Sequence, residues 1–153
     1  MQTQPKTLHI SVRDQRLTVK AGEEPIRTYP ISTSLFGLGS EEGSMKTPLG
    51  NFRIGHKIGD KALSGTVFKN REPIDQTAQP PTDDDLVMSR ILWLDGLEEH
   101  NANTRDRYIY IHGTNHEHKI GEPASHGCIR MTNADVIELF DLVDEQTPVV
   151  IEA

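Results

Sequence analysis

The chain has 153 residues, of which 35% are hydrophobic and 25% charged, and its formal net charge is −7. This length and composition favour one folded domain, residues 1–153, over a disordered chain, and the acidic charge argues against a nucleic-acid or anionic-membrane partner. The single cysteine cannot form an internal disulfide, and no apolar run is long enough to span a membrane.

The first residues of the chain lead to an expectation about location. The segment 1–7 is polar, contains a proline, and lacks the apolar core and cleavage site of a secretory signal. If Met1 is the natural start, we expect a cytoplasmic protein. If a signal segment has been removed, the alternative location is the periplasm.

Alternation of apolar and polar residues predicts strands in the first third of the chain. Two short runs alternate in this way: Leu8, Ile10 and Val12, then Leu17 and Val19. They are typical of a hairpin with one buried face. Further strands are predicted at 29–31 and 51–57, and the glycine- and serine-rich segment 37–50 between them is predicted to be a loop.

The segment 59–85 shows no regular pattern and contains several turn and helix-breaking signals, including Glu72-Pro73 and Pro80-Pro81. A structureless stretch of this length is uncommon in a compact domain and is often functional when it occurs. We interpret it as a flap over the functional site. A mobile surface insertion is the alternative, equally supported by loop statistics.

In the second half, strands are predicted at 86–88, 91–94 and 108–112, and a closing strand at 149–151. The spacing of Thr132 and Asp135 predicts the capped start of a helix. Apolar residues then recur at helical spacing: Val136, Leu139, Phe140 and Val143. Many short strands and one helix predict a mainly β protein.

The only cysteine, Cys128, lies in the segment S-H-G-C-I-R-M at 125–131, and the predicted strand 108–112 ends at His112. A lone cysteine with a histidine elsewhere in the chain is a candidate nucleophile and base. The thiolate is the reactive form, and a histidine can take up its proton and later pass it to a leaving group. The alternative is a free cysteine that packs as a small buried hydrophobe.

The residues H-G-T at 112–114, followed by S-H-G-C-I-R-M at 125–131, resemble the active-site signature of the L,D-transpeptidase catalytic domain, or YkuD, family. The segments S-T-S at 32–34 and T-P-L-G-N-F at 47–52 resemble two further family segments. The resemblance runs from about Leu8 to Ile151. It implies a two-sheet β-sandwich with one short α-helix after the cysteine, and it places the cysteine in a loop at the sheet edge.

The resemblance also implies catalytic roles. Cys128 is expected to attack a peptide carbonyl, with His112 as base and then acid, its ring oriented by the main-chain carbonyl of Gly113. We expect His126 to play a supporting role, with His126 as the base itself as the alternative. Gly127 would allow close approach of the backbone to substrate, and its N–H and that of Cys128 are candidate oxyanion donors.

Four other residues are candidate substrate contacts, each with a structural alternative: Arg130, Ser125, Trp93 and Tyr110. The guanidinium of Arg130 suits either a substrate carboxylate or an internal contact that pins the loop. Ser125 suits either substrate or ordinary turn chemistry. Core packing is the favoured role for Trp93 and Tyr110, ahead of lining a cleft.

The resemblance implies a peptidoglycan acyltransferase that acts on tetrapeptide stems or muropeptides, attacks the meso-diaminopimelate–D-alanine bond through a thioester, and needs no cofactor. Without an export signal, we expect an L,D-carboxypeptidase that trims recycled muropeptides. An L,D-transpeptidase that forms cross-links is the alternative. Two other classes stay open: a catalytically silent peptide-binding module, and a zinc site built from His112, His116, His118, His126 and Cys128. The sequence does not predict an oligomeric state.

Overall fold

A computed structural model describes residues 5–74 and 84–153, which form ten strands and one α-helix. The strands are β1 (Lys6–Ser11), β2 (Arg16–Ala21), β3 (Glu24–Pro30), β4 (Gly50–Ile58), β5 (Val67–Lys69), β6 (Glu72–Pro73), β7 (Val87–Gly96), β8 (Tyr110–Gly113), β9 (Ile129–Met131) and β10 (Pro148–Glu152). The helix α1 spans Asn133–Leu142, and short 3₁₀ turns lie at Glu99–Asn101 and Glu117–Lys119. The predicted mainly β class is confirmed.

Hydrogen bonds join the ten strands into one mixed sheet in the order β3-β2-β1-β10-β4-β7-β5-β6, with β8 on β7 and β9 on β8. The pairs β1–β10 and β8–β9 are parallel, and the others are antiparallel. Leu8 and Leu17 from one end of the sheet share a single core with Ile111 and Ile129 from the other end. The sheet therefore folds onto itself as the predicted sandwich, and its two layers are continuous through β4 and β7.

The helix α1 forms where it was predicted. Thr132 is its N-cap, and the Thr132 hydroxyl accepts the N–H of Asp135 at 3.2 Å. At the other end, the ammonium of Lys57 donates to the carbonyls of Phe140 and Val143, both at 2.6 Å, which satisfies carbonyls that the helix leaves free. Within residues 5–74 and 84–153, no helix is long and apolar enough to cross a membrane.

Two strand boundaries differ from the prediction because single residues adopt left-handed backbone conformations. The predicted strands 86–88 and 91–94 are one strand, β7, which Ser89 interrupts with φ of 70° and a shift in register. Tyr108, predicted as the start of a strand, has φ of 57° and lies before β8. Side-chain periodicity does not report such conformations, so the pattern could not reveal them.

The described part of the segment 59–85 contains regular structure that its composition does not predict. It contains the hairpin β5–β6, whose turn is formed by Asn70 and Arg71 with φ of 51° and 66°. Two-residue hairpin turns with both residues left-handed match the twist of the flanking strands, which explains why a turn forms here without glycine. The hairpin pairs with β7 through β5. Residues 75–83 lie outside the described residues, so the flap interpretation of 59–85 stays a prediction.

Candidate active site

Strands β8 and β9 carry the candidate catalytic side chains on one face. His112 of β8 is the register partner of Arg130 of β9, and partners in register project to the same side of a sheet. Ile111 and Ile129, the neighbouring register pair, face the opposite way into the core. Cys128 directly precedes β9, two residues before Arg130, so the alternation of strand residues places it on the face of His112.

The thiol of Cys128 contacts the backbone on both sides of the start of β8. The N–H of Tyr110 donates to Sγ at 3.3 Å, and the thiol donates to the carbonyl of Tyr108 at 3.3 Å. The residue as a whole is only partly buried, but loss of water around its thiol raises the pKa of the thiol to about 11. The Tyr110 N–H and the charge of Arg107 offset part of this rise. At neutral pH the free protein therefore holds Cys128 as a thiol.

His112 is almost fully buried, with 2% of its surface exposed. Its Nδ1 lies 2.6 Å from the carbonyl oxygen of Gly113. Because a carbonyl can only accept, Nδ1 carries the proton and Nε2 is left as an acceptor. Burial lowers the pKa of His112 below its usual value, more than the Gly113 carbonyl raises it, so the ring is neutral at neutral pH. The Gly113 carbonyl lies where the resemblance implied.

Gly113 is fixed by packing as well as by this hydrogen bond. A Cβ atom at this position would lie 2.5 Å from Oδ1 of Asn133 and 2.7 Å from the carbonyl oxygen of Met88. Only glycine therefore lets β8 approach both β7 and the start of α1. The same close approach holds the backbone that orients the ring of His112.

The loop that presents Cys128 is closed by a hydrogen-bonded turn. The buried hydroxyl of Ser125 donates to the carbonyl of Cys128 at 2.7 Å and accepts the N–H of Gly127 at 3.3 Å. Gly127 has φ of +125°, a conformation that side chains rarely adopt. Ser125 therefore has the turn role rather than the substrate role, since only 1% of it is exposed. The Gly127 N–H can act as an oxyanion donor only by giving up this long bond.

Thr47 joins this loop to the two earlier segments that carry the family resemblance, 32–34 and 47–52. Its hydroxyl donates to the carbonyl of Gly127 at 3.0 Å and accepts the N–H of Ser34 at 2.9 Å. The hydroxyl of Ser34 donates to the carbonyl of Met45, and the N–H of Ser125 donates to the carbonyl of Thr33 at 2.8 Å. Neither Thr47 nor Ser34 was predicted as a site residue. Motif resemblance was the only signal, because their partners lie far away in sequence.

Arg130 is internal rather than a substrate contact. Only 1% of it is exposed, and its Nη1 lies 3.1 Å from Oδ1 of Asp85 and 3.2 Å from Nδ1 of His116. Its Nη2 donates to the hydroxyl of Ser32 at 3.2 Å, and its backbone pairs with that of Ser32 in both directions. Of the two roles predicted for Arg130, the structure favours pinning the loop, because burial leaves no surface for a substrate carboxylate.

His126 lies on the outer side of the same loop. Its side chain is exposed, and its ring centroid lies 5.8 Å from that of Phe36, which is itself 47% exposed. His112, by contrast, is buried and held in one tautomer by a carbonyl. This geometry favours His112 as the base and leaves His126 with at most a supporting role at the surface.

The opposite side of the thiol borders a cavity. Trp93 and Tyr110 are register partners on β7 and β8, and their rings meet edge to face at 5.6 Å. The backbones of Tyr108 and Tyr110 contact the thiol, and both residues line this cavity. Cys128 also packs against the cluster of Phe68, Ile91 and Tyr110, which belong to the lining, so the cavity lies close to Cys128. Its volume is about 230 Å³, and it is lined by Phe68, Asn70, Arg71, Val87, Ile91, Tyr108 and Tyr110. Of the predicted cleft residues, Tyr110 lines it, while Trp93 supports its rim.

The five side chains considered as zinc ligands do not share one environment. His112 is buried and His126 exposed, and the rings of His116 and His118 lie 6.1 Å apart beside a 3₁₀ turn. Among the described residues, no group of three or more His, Cys, Asp or Glu side chains is arranged to hold a metal ion.

Comparison with known proteins identifies the family. The sequence profile of the L,D-transpeptidase catalytic domain, YkuD, matches residues 5–151. The chain belongs to this family. A Bacillus subtilis protein provisionally named L,D-transpeptidase YkuD is 28% identical over 149 residues, which are 97% of this chain and 67% of the relative. The corresponding Bacillus licheniformis protein is 28% identical over 147 residues, 66% of its length.

Solved L,D-transpeptidases share the fold. The Mycobacterium smegmatis enzyme superposes with a TM-score of 0.64 at 18% identity, covering 97% of this chain and 59% of the solved chain. The Xylanimonas cellulosilytica enzyme has a TM-score of 0.62 at 19% identity, and the match covers 99% of this chain and 62% of the solved chain. A third structure, an L,D-transpeptidase in complex with imipenem, has a TM-score of 0.60 at 20% identity, and the match covers 96% of this chain and 58% of the solved chain. This chain thus spans about three fifths of these YkuD-fold proteins.

Proposed function

We propose that this YkuD-family protein is a cysteine-dependent acyltransferase that cleaves the meso-diaminopimelate–D-alanine bond of peptidoglycan tetrapeptide stems. The observation that carries the proposal is the shared face of β8 and β9, on which the partly exposed thiol of Cys128 lies on the same side as a buried, neutral, carbonyl-oriented His112. A nucleophile and an oriented base form the minimum unit of covalent acyl transfer. Family membership supplies the substrate class.

The proton moves during the attack rather than before it. The raised pKa of Cys128 and the lowered pKa of His112 both favour the neutral pair in the free protein. As sulfur bonds to the substrate carbonyl carbon, Nε2 of His112 accepts the thiol proton, and the carbonyl oxygen becomes an oxyanion. The N–H of Cys128 is the candidate donor to this oxyanion, and the N–H of Gly127 can join it by giving up its 3.3 Å hydrogen bond to Ser125.

Collapse of the tetrahedral intermediate breaks the C–N bond. The protonated His112 gives its proton to the leaving amine of D-alanine, which leaves a thioester on Cys128. In hydrolysis, His112 then takes a proton from water as the water oxygen attacks the thioester carbon. As the C–S bond then breaks, His112 passes this proton to the sulfur. The products are the tripeptide acid, which loses its remaining proton to solvent, and the restored thiol beside neutral His112, so one water is consumed per D-alanine released.

We propose that water, rather than an amine, is the acceptor, which makes the protein an L,D-carboxypeptidase. The support is the β5–β6 hairpin, which holds Arg71 over the rings of Trp93 and Tyr108, at 5.0 and 5.1 Å, where Arg71 and Tyr108 line the cavity near the thiol and take up space that an acceptor peptide would need. A second stem peptide is a much bulkier guest than water, and its entry would be hindered first. Cross-linking by L,D-transpeptidation is the alternative outcome for the same thioester.

The partition of the acyl-enzyme between water and an amine tests both the thiol mechanism and the choice of water as the acceptor. Tetrapeptide muropeptide is offered with an excess of a second stem peptide, and mass spectrometry counts tripeptide against cross-linked dimer, with the Cys128→Ala protein as control. We expect tripeptide and a Cys128-bound acyl adduct. Predominant dimer would assign the protein to the transpeptidases. Products that form equally in the control, or that disappear with chelators, would reject the thiol mechanism.

A further inference from the structure

The cavity beside the thiol contains one permanently charged group. Of its seven lining residues, five are apolar or aromatic, and Arg71 alone is charged. Within residues 5–74 and 84–153, no carboxylate forms an ion pair with Arg71, whereas Arg105 pairs with Asp95 at 3.2 Å and Arg130 with Asp85 at 3.1 Å. The cavity therefore offers a guanidinium that forms no ion pair within the described residues, with the neighbouring carboxylate of Glu72 acting on it at longer range, in a protein whose net charge is −7.

The guanidinium is held in place by three aromatic residues. Its Nη1 donates to the hydroxyl of Tyr110 at 3.2 Å, and its carbon lies 5.0 Å from the ring of Trp93 and 5.1 Å from the ring of Tyr108. The same Tyr110 donates its backbone N–H to the sulfur of Cys128. Tyr110 therefore contacts the sulfur of Cys128 with its backbone and Arg71 with its hydroxyl. The guanidinium and the sulfur are separated by about the length of one tyrosine side chain.

The backbone at Arg71 also argues for a retained side chain. Arg71 has φ of 66° at the second position of a two-residue hairpin turn, where glycine is the favoured residue because it has no Cβ. A non-glycine residue in this conformation costs stability. The turn thus accepts a strained residue and gains a guanidinium that faces the cavity. Among residues 5–74 and 84–153, Tyr110 is the one hydrogen-bond acceptor for its five N–H donors.

From this geometry we infer that Arg71 binds a carboxylate of the substrate next to the scissile bond and so sets the protein's preference for free-acid stem peptides. A guanidinium presents a planar pair of donors that matches a carboxylate. The inference rests on the proposed function for the identity of the stem peptide. Two carboxylates flank the bond: the terminal carboxylate of D-alanine and the side-chain carboxylate of meso-diaminopimelate.

Binding to a protein without the nucleophile tests the inference separately from turnover. In the Cys128→Ala background, calorimetry measures the Kd of three peptides: the tetrapeptide acid, its C-terminal amide, and the tetrapeptide with lysine in place of meso-diaminopimelate. Arg71→Gly removes the guanidinium while giving the turn the residue it favours, so loss of fold is not expected. We expect Arg71→Gly to weaken binding of the acid roughly 10- to 100-fold, and Arg71→Lys to weaken it less.

The substituted peptides identify which carboxylate is bound. The peptide that lacks the bound carboxylate should bind weakly to the Cys128→Ala protein that retains Arg71. Adding Arg71→Gly should change the Kd of this peptide by less than about twofold. Arg105→Ala is the matched control, because Arg105 also lies over Trp93, at 4.6 Å, but does not line the cavity. This variant should leave the ratio of acid to amide affinities unchanged.

The inference and the proposed function fail in different ways. If Arg71→Gly weakens all three peptides equally, or none, the inference is overturned even when wild-type protein releases D-alanine. If binding is carboxylate-dependent and Arg71-dependent but no Cys128-dependent product forms, the inference holds and the proposed reaction is rejected. In the active protein, the kinetic counterpart is a rise in KM for the acid with kcat little changed.

Discussion

The two sides of the Cys128 thiol are built in opposite ways. On one side, the loop that carries the cysteine is closed by buried hydroxyls: Ser34, Thr47 and Ser125 are each at most 3% exposed, and they hydrogen-bond to backbone groups. We call this the hydroxyl wall. On the other side, Tyr108 is 52% exposed, and Arg71 contacts the protein through ring faces and one hydroxyl around a cavity. We call this the aromatic side.

The difference shows how the site divides its tasks. A buried hydrogen bond that loses one partner leaves an unsatisfied group, which costs about 1–3 kcal/mol, so the hydroxyl wall holds the sulfur in one position. An exposed cation–π contact contributes only about 0.5–1 kcal/mol, so the aromatic side can exchange its contacts for those of a guest. Positioning of the nucleophile and recognition of the substrate are therefore separable by mutation.

The largest effect is expected from removing the sulfur of Cys128, which lies between the hydroxyl wall and the aromatic side. Cys128→Ala should reduce hydrolysis of tetrapeptide stems to background, a loss on the order of 10⁴-fold or more, while circular dichroism and melting temperature stay close to wild type, because a small side chain replaces another small one. Product release followed by mass spectrometry measures this. Substantial residual hydrolysis would remove Cys128 from the nucleophile role.

His112→Ala should lower kcat about 10²- to 10⁴-fold, because the thiol has a raised pKa and depends on an acceptor for its proton. Steady-state kinetics on the tetrapeptide acid give the comparison. The matched control is His126→Ala, which alters an exposed ring on the outer side of the loop and should cost less than about tenfold. A more severe loss in His126→Ala would reassign the base.

The state of the thiol should be visible without substrate. Because burial raises the pKa of Cys128 to about 11 from a reference of 9.0, the thiolate fraction in folded protein should still increase about tenfold per pH unit between pH 8 and 10, or about 100-fold in total. Iodoacetamide alkylation, followed by intact mass, measures it. In denaturant, the same cysteine should be about half ionised near pH 9, and its thiolate fraction should level off above about pH 10. A folded-state plateau below pH 9 would show a preformed thiolate instead.

Thr47→Val tests the hydroxyl wall with almost no change in shape. It removes the donor to the Gly127 carbonyl and the acceptor for the Ser34 N–H, so we expect a loss of about 2 kcal/mol in the free energy of unfolding and a roughly tenfold drop in kcat. Urea denaturation and steady-state kinetics measure the two. The control is Thr66→Val, whose hydroxyl bonds to Leu63 in an exposed turn and should cost less than about 0.5 kcal/mol. Equal effects would show that the wall has no special role.

The smallest effect is expected on the aromatic side. Tyr110→Phe removes the hydroxyl that holds Arg71 but keeps the backbone N–H that donates to the sulfur, so KM should rise about threefold with kcat unchanged. Tyr29→Phe is the control: its hydroxyl bonds to Glu138 at 2.6 Å, and Glu138 lies on α1 rather than at the cavity. That variant should alter stability but not KM. A fall in kcat for Tyr110→Phe would mean that the two sides are coupled.

Sequence patterns predicted those parts of the molecule whose side chains repeat with a regular period. The alternation in β1 and β2, the cap at Thr132 and the spacing along α1 all report which face is buried, and burial is what fixes these elements. Cys128 and His112 could be proposed as catalytic residues because a lone cysteine and its motif are visible locally. Arg71, Tyr108 and Thr47 were not found, since left-handed backbone conformations and hydrogen bonds between distant loops leave no periodic signal.

The position of β10 has a consequence for how the chain reaches its fold. β10, the last strand along the chain, lies between β1 and β4 rather than at an edge. The hairpin of β1 and β2 therefore cannot join the rest of the sheet until residues 148–152 have left the ribosome. Pairing of segments so far apart in sequence makes folding slow. During synthesis, the facing edges of β1 and β4 stay unpaired, which makes this the period when the nascent chain is most exposed to aggregation.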